Sequence, residues 1–350
     1  MAKEIIFGIG DEFLQREGLK ARVEPWEDGM RTVGSRGDFE WWYFDAHFAD
    51  GSTAVAVFFT KPLFNHQQEI NPGIALTLTT PEGRKLFNWI SVPSHLFSAG
   101  QDNCDIHMGK SWVRGDLHYY ALHVEGYDLS LDVDLSAVAP PWRPGSGKNY
   151  YDHHLKHYFA WLAAVTYGKV EGVLEYEGKK VKVSGYGYHD HNWGNVNLAN
   201  IMSHWYWGRA HVRDFTLIFV EMHTLPSYGG VKIPVFMLAQ GDQILIEDGR
   251  PLSLQLADMV EHPGGKQFPG QAKFLWQSAE GKITISLTEP KILEAASLLG
   301  SLPVWKQRLF HLLANPYYFR FDTQLDLRVD LKNLKVHEQG RALYEIMYLR

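Results

Sequence analysis

Cysteine is almost missing from this chain. Cys104 is the only one in 350 residues, so no disulfide can form within it and the fold must rest on its own core. A lone thiol fits a reducing compartment, and a cytoplasmic location is the expectation. Long apolar runs are missing too: no stretch of about eighteen uninterrupted apolar residues offers a membrane-spanning helix. The opening MAKEIIFGIGDEFLQREG lacks the apolar centre of a signal peptide. A concentrated basic surface is also absent. The formal net charge is −6 and lysine and arginine are scattered, which argues against nucleic acid as a partner. Several glycine signatures fail as well. Gly147-Lys148 lacks the spacing of a phosphate loop, no glycine fingerprint follows a strand, and no Gly-x-Ser-x-Gly elbow occurs.

Aromatic residues, in contrast, reach 14% of the chain. That richness suits many β-strands or a large binding cavity. The runs TAVAVFFT (53–60), GIALTLTT (73–80), YDLSLDVDL (127–135) and KKVKVSGYGY (179–188) are rich in β-branched and aromatic residues, and several alternate in polarity. Asp50-Gly51, Glu82-Gly83 and Glu177-Gly178 supply hairpin turns. FTLIFVEMH (215–223), IPVFMLAQ (233–240), KITISLTE (282–289) and FRFDTQLDLRVDL (319–331) continue the pattern. Only 291–299 and 303–314 read as helices, the second with Trp305, Leu309, Leu312 and Leu313 on one face. An all-β protein of sandwiches or barrels follows.

An internal repeat points to two such units. WWYFDAHFAD from Trp41 aligns with WYWGRAHVRD from Trp205, matching Trp41/Trp205, Ala46/Ala210, His47/His211 and Asp50/Asp214. VKVSGYGYHD from Val181 aligns with VHEQGRALYE from Val336, placing Gly185 against Gly340 and Asp190 against Glu345. The expected organisation is an N-terminal arm (1–34), a first unit (35–196) and a second unit (203–350).

Three stretches carry candidate chemistry. In GYGYHDHNWG (185–194), strand alternation sets Tyr186, Tyr188, Asp190 and Asn192 on one face and His189, His191 and Trp193 on the other. His189-x-His191 can ligate a metal, with Asp152, His153, His154 and His157 as further candidates, but no ligand spacing joins the sets. Hydrogen-bonded core histidines are the plainer reading. For the cluster as a whole, acid–base chemistry is favoured, because three titratable groups in a row are costly to bury. In GDFEWWYFD (37–45), Glu40 and Trp42 share a face, and Tyr43 takes the other. Glu40 is then either a strand-end carboxylate or a carboxyl in an apolar pocket. In HWYWGRAH and FTLIFVEMH, Trp205 and Trp207 share a face, and Glu221 follows Phe219 and Leu217. Cys104 has no identifiable histidine partner and reads as a small buried thiol.

FEWWYFD and GYGYHDHNWG together resemble the paired signatures of the CrtC/AttH-type lipocalin-like family, which includes carotenoid 1,2-hydratases. Lipocalin-like Diels–Alderases are more distant relatives. The resemblance runs from about residue 35 to the closing GRALYEIMYLR. It implies two tandem lipocalin-like antiparallel β-barrels, with one or two short helices in the second. It implies cofactor-free, metal-free water addition to a hydrophobic isoprenoid or polyene, by protonation of a double bond in an aromatic pocket near the domain junction. His191 and Trp193 carry over from the motif with Asp190 beside them, and Phe219 and Glu221 stand nearest the family's tyrosine and aspartate. The implied catalytic set is Asp190, His191, Trp193 and Glu221. Glu40, Trp42, Tyr43, Tyr188, Trp205, Trp207 and Phe219 are the expected substrate contacts. Peripheral membrane contact is a route for such a substrate to enter. Cyclisation of a polyene, or carriage of a hydrophobic ligand without chemistry, are the alternatives.

Overall fold

The computed structural model describes residues 4–62, 69–297 and 316–350. It is all-β, built on two antiparallel sheets. The chain divides into two compact units, Ile5–Val196 and Asn197–Arg350.

In the first unit eleven strands follow one path. Phe39–Phe48 lies between Thr53–Phe59 and Lys179–Gly194, and Lys179–Gly194 in turn pairs with Tyr158–Tyr176. From there the sheet runs through Leu129–Ala137 and Tyr119–Glu125 to a short edge at Phe97–Ala99. The other edge is Lys85–Ser91, and the two edges are not hydrogen-bonded to each other among the described residues. The sheet curls around a core to which Trp42, Phe58, Leu76, Leu122, Leu131 and Leu162 all contribute. Alternation explains the selection: along Phe39–Phe48, Glu40, Trp42, Phe44 and Ala46 turn inward. The turn that sets the central hairpin is Glu177-Gly178. Both residues take positive φ (52° and 72°), as a tight two-residue hairpin turn requires.

Residues 5–34 pack within this first unit. A 3₁₀ turn, Pro25–Asp28, is closed by a reciprocal capping arrangement between Glu24 and Glu27. Arg143 and Glu27, both almost fully buried, pair at 2.6 Å and fix the turn in place. The Trp42 indole N–H reaches its last carbonyl, at Asp28 (3.0 Å).

The second unit is a nine-stranded sheet. Met202–Val212 pairs with Phe215–Thr224 on one side and Leu334–Tyr348 on the other. The repeat seen in sequence is a repeat of register. Tyr43 faces Asp190 in the first unit, and Trp207 faces Glu345 in the second. Ala46 faces Gly187, and Ala210 faces Ala342.

Helix placement differs from expectation. The α-helix among the described residues is Asp11–Glu17, near the N-terminus rather than in the second unit. Residues 291–297 continue the Gly281–Ser297 strand, because Tyr317–Leu331 offers them a ladder after a register shift. Local propensity yields to that pairing. Residues 298–299 and the expected helix 303–314 lie outside the described residues.

Candidate functional site

The expected site residues of the first unit fall on both faces of its sheet, and those of the second unit lie in a separate sheet. Inside the first unit lie Glu40, Trp42, His191 and Trp193. His191 stacks on Trp42 with ring centroids 4.7 Å apart and meets Trp193 at 4.6 Å. Its Nε2 hydrogen-bonds the Glu40 carboxylate at 2.8 Å. Glu40 is not in an apolar pocket. Its oxygens also accept the Arg31 and Thr32 backbone N–H groups and the Thr32 hydroxyl.

Sequence reasoning missed the partner that completes this interior cluster, Asp28 of the Pro25–Asp28 turn. Its Oδ2 accepts the Tyr120 hydroxyl at 2.6 Å and sits 3.0 Å from His189 Nε2. Tyr120 reaches it by lying across Gly115, where a Cβ would stand 2.0 Å from the ring. The opposite ring nitrogen of His189 donates to the Tyr43 carbonyl (2.9 Å), and Phe44 stacks on the imidazole at 3.8 Å. Burial acts to raise the Asp28 carboxyl, but the facing histidines and the Tyr120 hydroxyl outweigh it and hold the carboxyl below its usual range. Asp28, His189 and His191 are all fully buried. Cys104, read from sequence as lacking a histidine partner, lies beside Asp28 and His189: their donor atoms are within 4.8 Å of one another. The void beside Phe44, lined by Ala46, Ala54, Leu122 and Val133, has about 20 Å³, the space of one water.

The outer face of the same sheet is different. Asp190 turns away from the core and is half-buried. Three donors hold its carboxyl: the Trp161 indole N–H (3.0 Å), the Tyr188 hydroxyl (2.9 Å) and the Asn192 amide (2.7 Å). Burial pushes its pKa up to about 6, against the pull of those hydrogen bonds. Tyr43 meets Tyr188 edge-on at 6.3 Å, and Trp142 meets Trp161 edge-on at 5.8 Å. Trp41, Phe39, Phe59 and Phe159 extend the ring surface, with neighbouring centroids 5.4–6.4 Å apart. Asp190 and His191 therefore stand on opposite sides of one strand, so His191 cannot relay a proton directly to Asp190. Trp42 and Trp193 face the interior and do not shelter charge formed at Asp190. The cause is the two-residue period of the strand. Trp161 was also missed. Counting back from the Glu177-Gly178 turn sets Ala163 opposite Asn192. Two irregularities between Leu162 and Gly168 bring Trp161 there instead.

In the second unit, Phe219 and Glu221 point into the core and Trp205 and Trp207 away from it, since Tyr206 is the inward residue of that strand. Glu221 accepts from His223 Nε2 (2.8 Å), Lys232 Nζ (3.0 Å) and the Leu254 N–H (3.3 Å). His223 stacks on His204 at 4.2 Å. With those contacts the Glu221 carboxyl stays below its usual range despite burial, so it is held as an anion rather than as a proton donor. Asp152 closes a loop by accepting the backbone N–H groups of His154, Lys156 and His157.

Comparison with known proteins follows the fold closely. The profile of the Svf1 family matches residues 66–350. A hydroxyneurosporene dehydrogenase of Chlorobaculum tepidum is 27% identical over 57% of this chain, which spans 61% of that relative's length. The ceramide-binding protein svf1 of Schizosaccharomyces pombe is 21% identical over 75% of this chain and 72% of its own. Among solved structures, a Nitrosomonas europaea protein described as an AttH superposes with TM-score 0.65 at 16% identity, covering 93% of this chain and 97% of that one. Kievitone hydratase from Nectria haematococca superposes with TM-score 0.57 at 15% identity, covering 99% and 98%. Among the described residues, no helix is long and apolar enough to cross a membrane.

Proposed function

Because the chain belongs to the Svf1 family, and with relatives that act on or bind hydrophobic molecules, we propose that it is a hydratase-like enzyme working by acid–base chemistry on an isoprenoid or polyene. The observation that carries this is the half-buried Asp190 carboxyl, clasped by Trp161, Tyr188 and Asn192 on a ring-lined face. Asp190 donates its proton to one carbon of a double bond, leaving a tertiary cation on the other. The rings of Trp161, Tyr43 and Tyr188 shelter that charge, each contributing about 0.5–2 kcal/mol. Water adds through oxygen and returns one proton to the Asp190 carboxylate. The sum is alkene plus water giving a tertiary alcohol, and the enzyme ends as it began. The hydroxyneurosporene and kievitone relatives supply the substrate class by analogy.

Turnover of a panel of isoprenoid and polyene alkenes by the Asp190→Asn variant tests the proposal. Its kcat is expected to fall by about 10²–10⁴ with little change in affinity, as for loss of a general acid. Full activity in that variant removes Asp190 from the chemistry. A second reading, a ligand carrier, draws on the ceramide-binding relative, which aligns over more of this chain than the hydroxyneurosporene one does. A lipid that co-purifies with the protein and stays unchanged on incubation in water favours the carrier.

A further inference from the structure

Inside the first unit, metal-ligating atom types converge on the Asp28 carboxylate. The Tyr43 carbonyl only accepts, so the proton of His189 must sit on Nδ1. That leaves Nε2 facing the Asp28 carboxylate at 3.0 Å. Glu40, with three other donors, is a carboxylate and takes the Nε2 proton of His191. His191 Nδ1 then points toward Asp28 Oδ1 at 3.5 Å, and neither atom has a hydrogen-bond partner among the described residues. The Cys104 sulfur completes the convergence on Asp28 and His189. Asp28 thus stands among two imidazole nitrogens and a thiol sulfur, the donor types a divalent cation draws together.

We propose that Asp28, Cys104 and His189, whose donor atoms converge, hold a zinc-class metal ion in a structural site that closes when His191, with Nδ1 3.5 Å from Asp28 Oδ1, turns in as the fourth ligand. The donor set is one sulfur, two imidazole nitrogens and one carboxylate oxygen, which selects zinc over magnesium or calcium. A thiolate and a carboxylate among the ligands cancel the charge of the ion itself. Both histidines already show the outer contact that ligating imidazoles need: His189 gives its other N–H to a backbone carbonyl, and His191 gives its own to Glu40. Tyr120 steadies the carboxylate ligand. The site faces the core, opposite to Asp190, so its role is to tie the Pro25–Asp28 turn to the central strand. This inference stands independently of the hydratase proposal.

The full-length protein is to be loaded with Zn²⁺ or Co²⁺ alone and dialysed against metal-free buffer. About one equivalent of metal per chain is expected to remain, as for a structural site. The cobalt form should show a thiolate-to-metal charge-transfer band, and Cys104→Ser should abolish it. A chelator should lower the thermal midpoint of the wild type and leave that of Cys104→Ser unmoved. Glu40→Gln, which keeps an acceptor for His191, should weaken metal affinity by about 10–100-fold. If Cys104→Ser does not fold, the wild-type cobalt spectrum and the Glu40→Gln affinity decide. Absence of retained metal in the wild type, or cobalt bound without the sulfur band, overturns the site.

Discussion

The two units share a pairing scheme but not a filling. In the first, the inward positions of the central strands hold Trp42, His189, His191 and Trp193, with Asp28 and Glu40 beside them. At the corresponding positions the second has Tyr206, Tyr344, Ile346 and Tyr348, packed with Phe274, Phe319 and Phe321. Asp190 on the outside is matched by Glu345, which pairs with the Arg320 guanidinium at 3.5 Å. A sheet of this kind thus folds with rings and aliphatic groups at these positions. The ionisable groups that stand there in the first unit are an addition the architecture does not require, and such additions are where function concentrates.

The sharpest way to break this contrast is through the outer carboxylates. Asp190→Asn is expected to reduce turnover by about 10²–10⁴, whereas Glu345→Gln should leave turnover within a few-fold of wild type. Equal losses would mean that the second unit carries chemistry too. Next in size is stability of the interiors. Asp28→Ala leaves the buried imidazoles without their carboxylate and should cost about 3–5 kcal/mol, read from denaturant unfolding. A loss under about 1 kcal/mol would show that the interior charges are not coupled as drawn.

The pH response should separate the units further. His204 is held neutral by burial, with the neighbouring His223 adding to the effect, and its pKa is lowered to about 4 from 6.5. Above pH 6.5 folded and unfolded chains are both neutral there. As pH falls from 6.5 toward 4, only the unfolded chain takes up the proton, so stability declines through that window and levels off below it. Glu221 opposes this and Lys232 reinforces it. The protection of amides along Phe215–Thr224 against hydrogen exchange, taken relative to the intrinsic rate at each pH, should fall over that range, and His204→Phe should flatten the response. The smallest effect concerns Tyr344, whose hydroxyl is buried without a partner among the described residues. Tyr344→Phe is expected to be neutral or stabilising by up to about 1 kcal/mol. A clear destabilisation would reveal a hidden acceptor.

Much of this was legible beforehand. Alternation alone divided Tyr188 and Asp190 from His189 and His191, and the aligned Trp41 and Trp205 segments announced the repeated register. The interior cluster was not legible. Asp28 lies in the irregular Pro25–Asp28 turn, where no periodicity marks an inward residue, and its partners Cys104, Tyr120 and His189 are far away in sequence. Trp161 was hidden by the irregularities near Val165, since a register shift is a property of two strands and leaves little trace in either. Residues 291–297 read as helix because their composition is permissive, and the neighbouring strand decided otherwise.

Asp28 and His189 are 161 positions apart. During synthesis the turn bearing Asp28 emerges early, while both imidazoles emerge near the close of the unit. Until then the nascent chain carries an anchored plug with nothing to plug, and the Phe39–Phe48 strand lacks the neighbour it will share with the last hairpin. Completion of the unit is therefore tied to arrival of its final strand, a long-range step that favours slow, all-at-once assembly over gradual accretion.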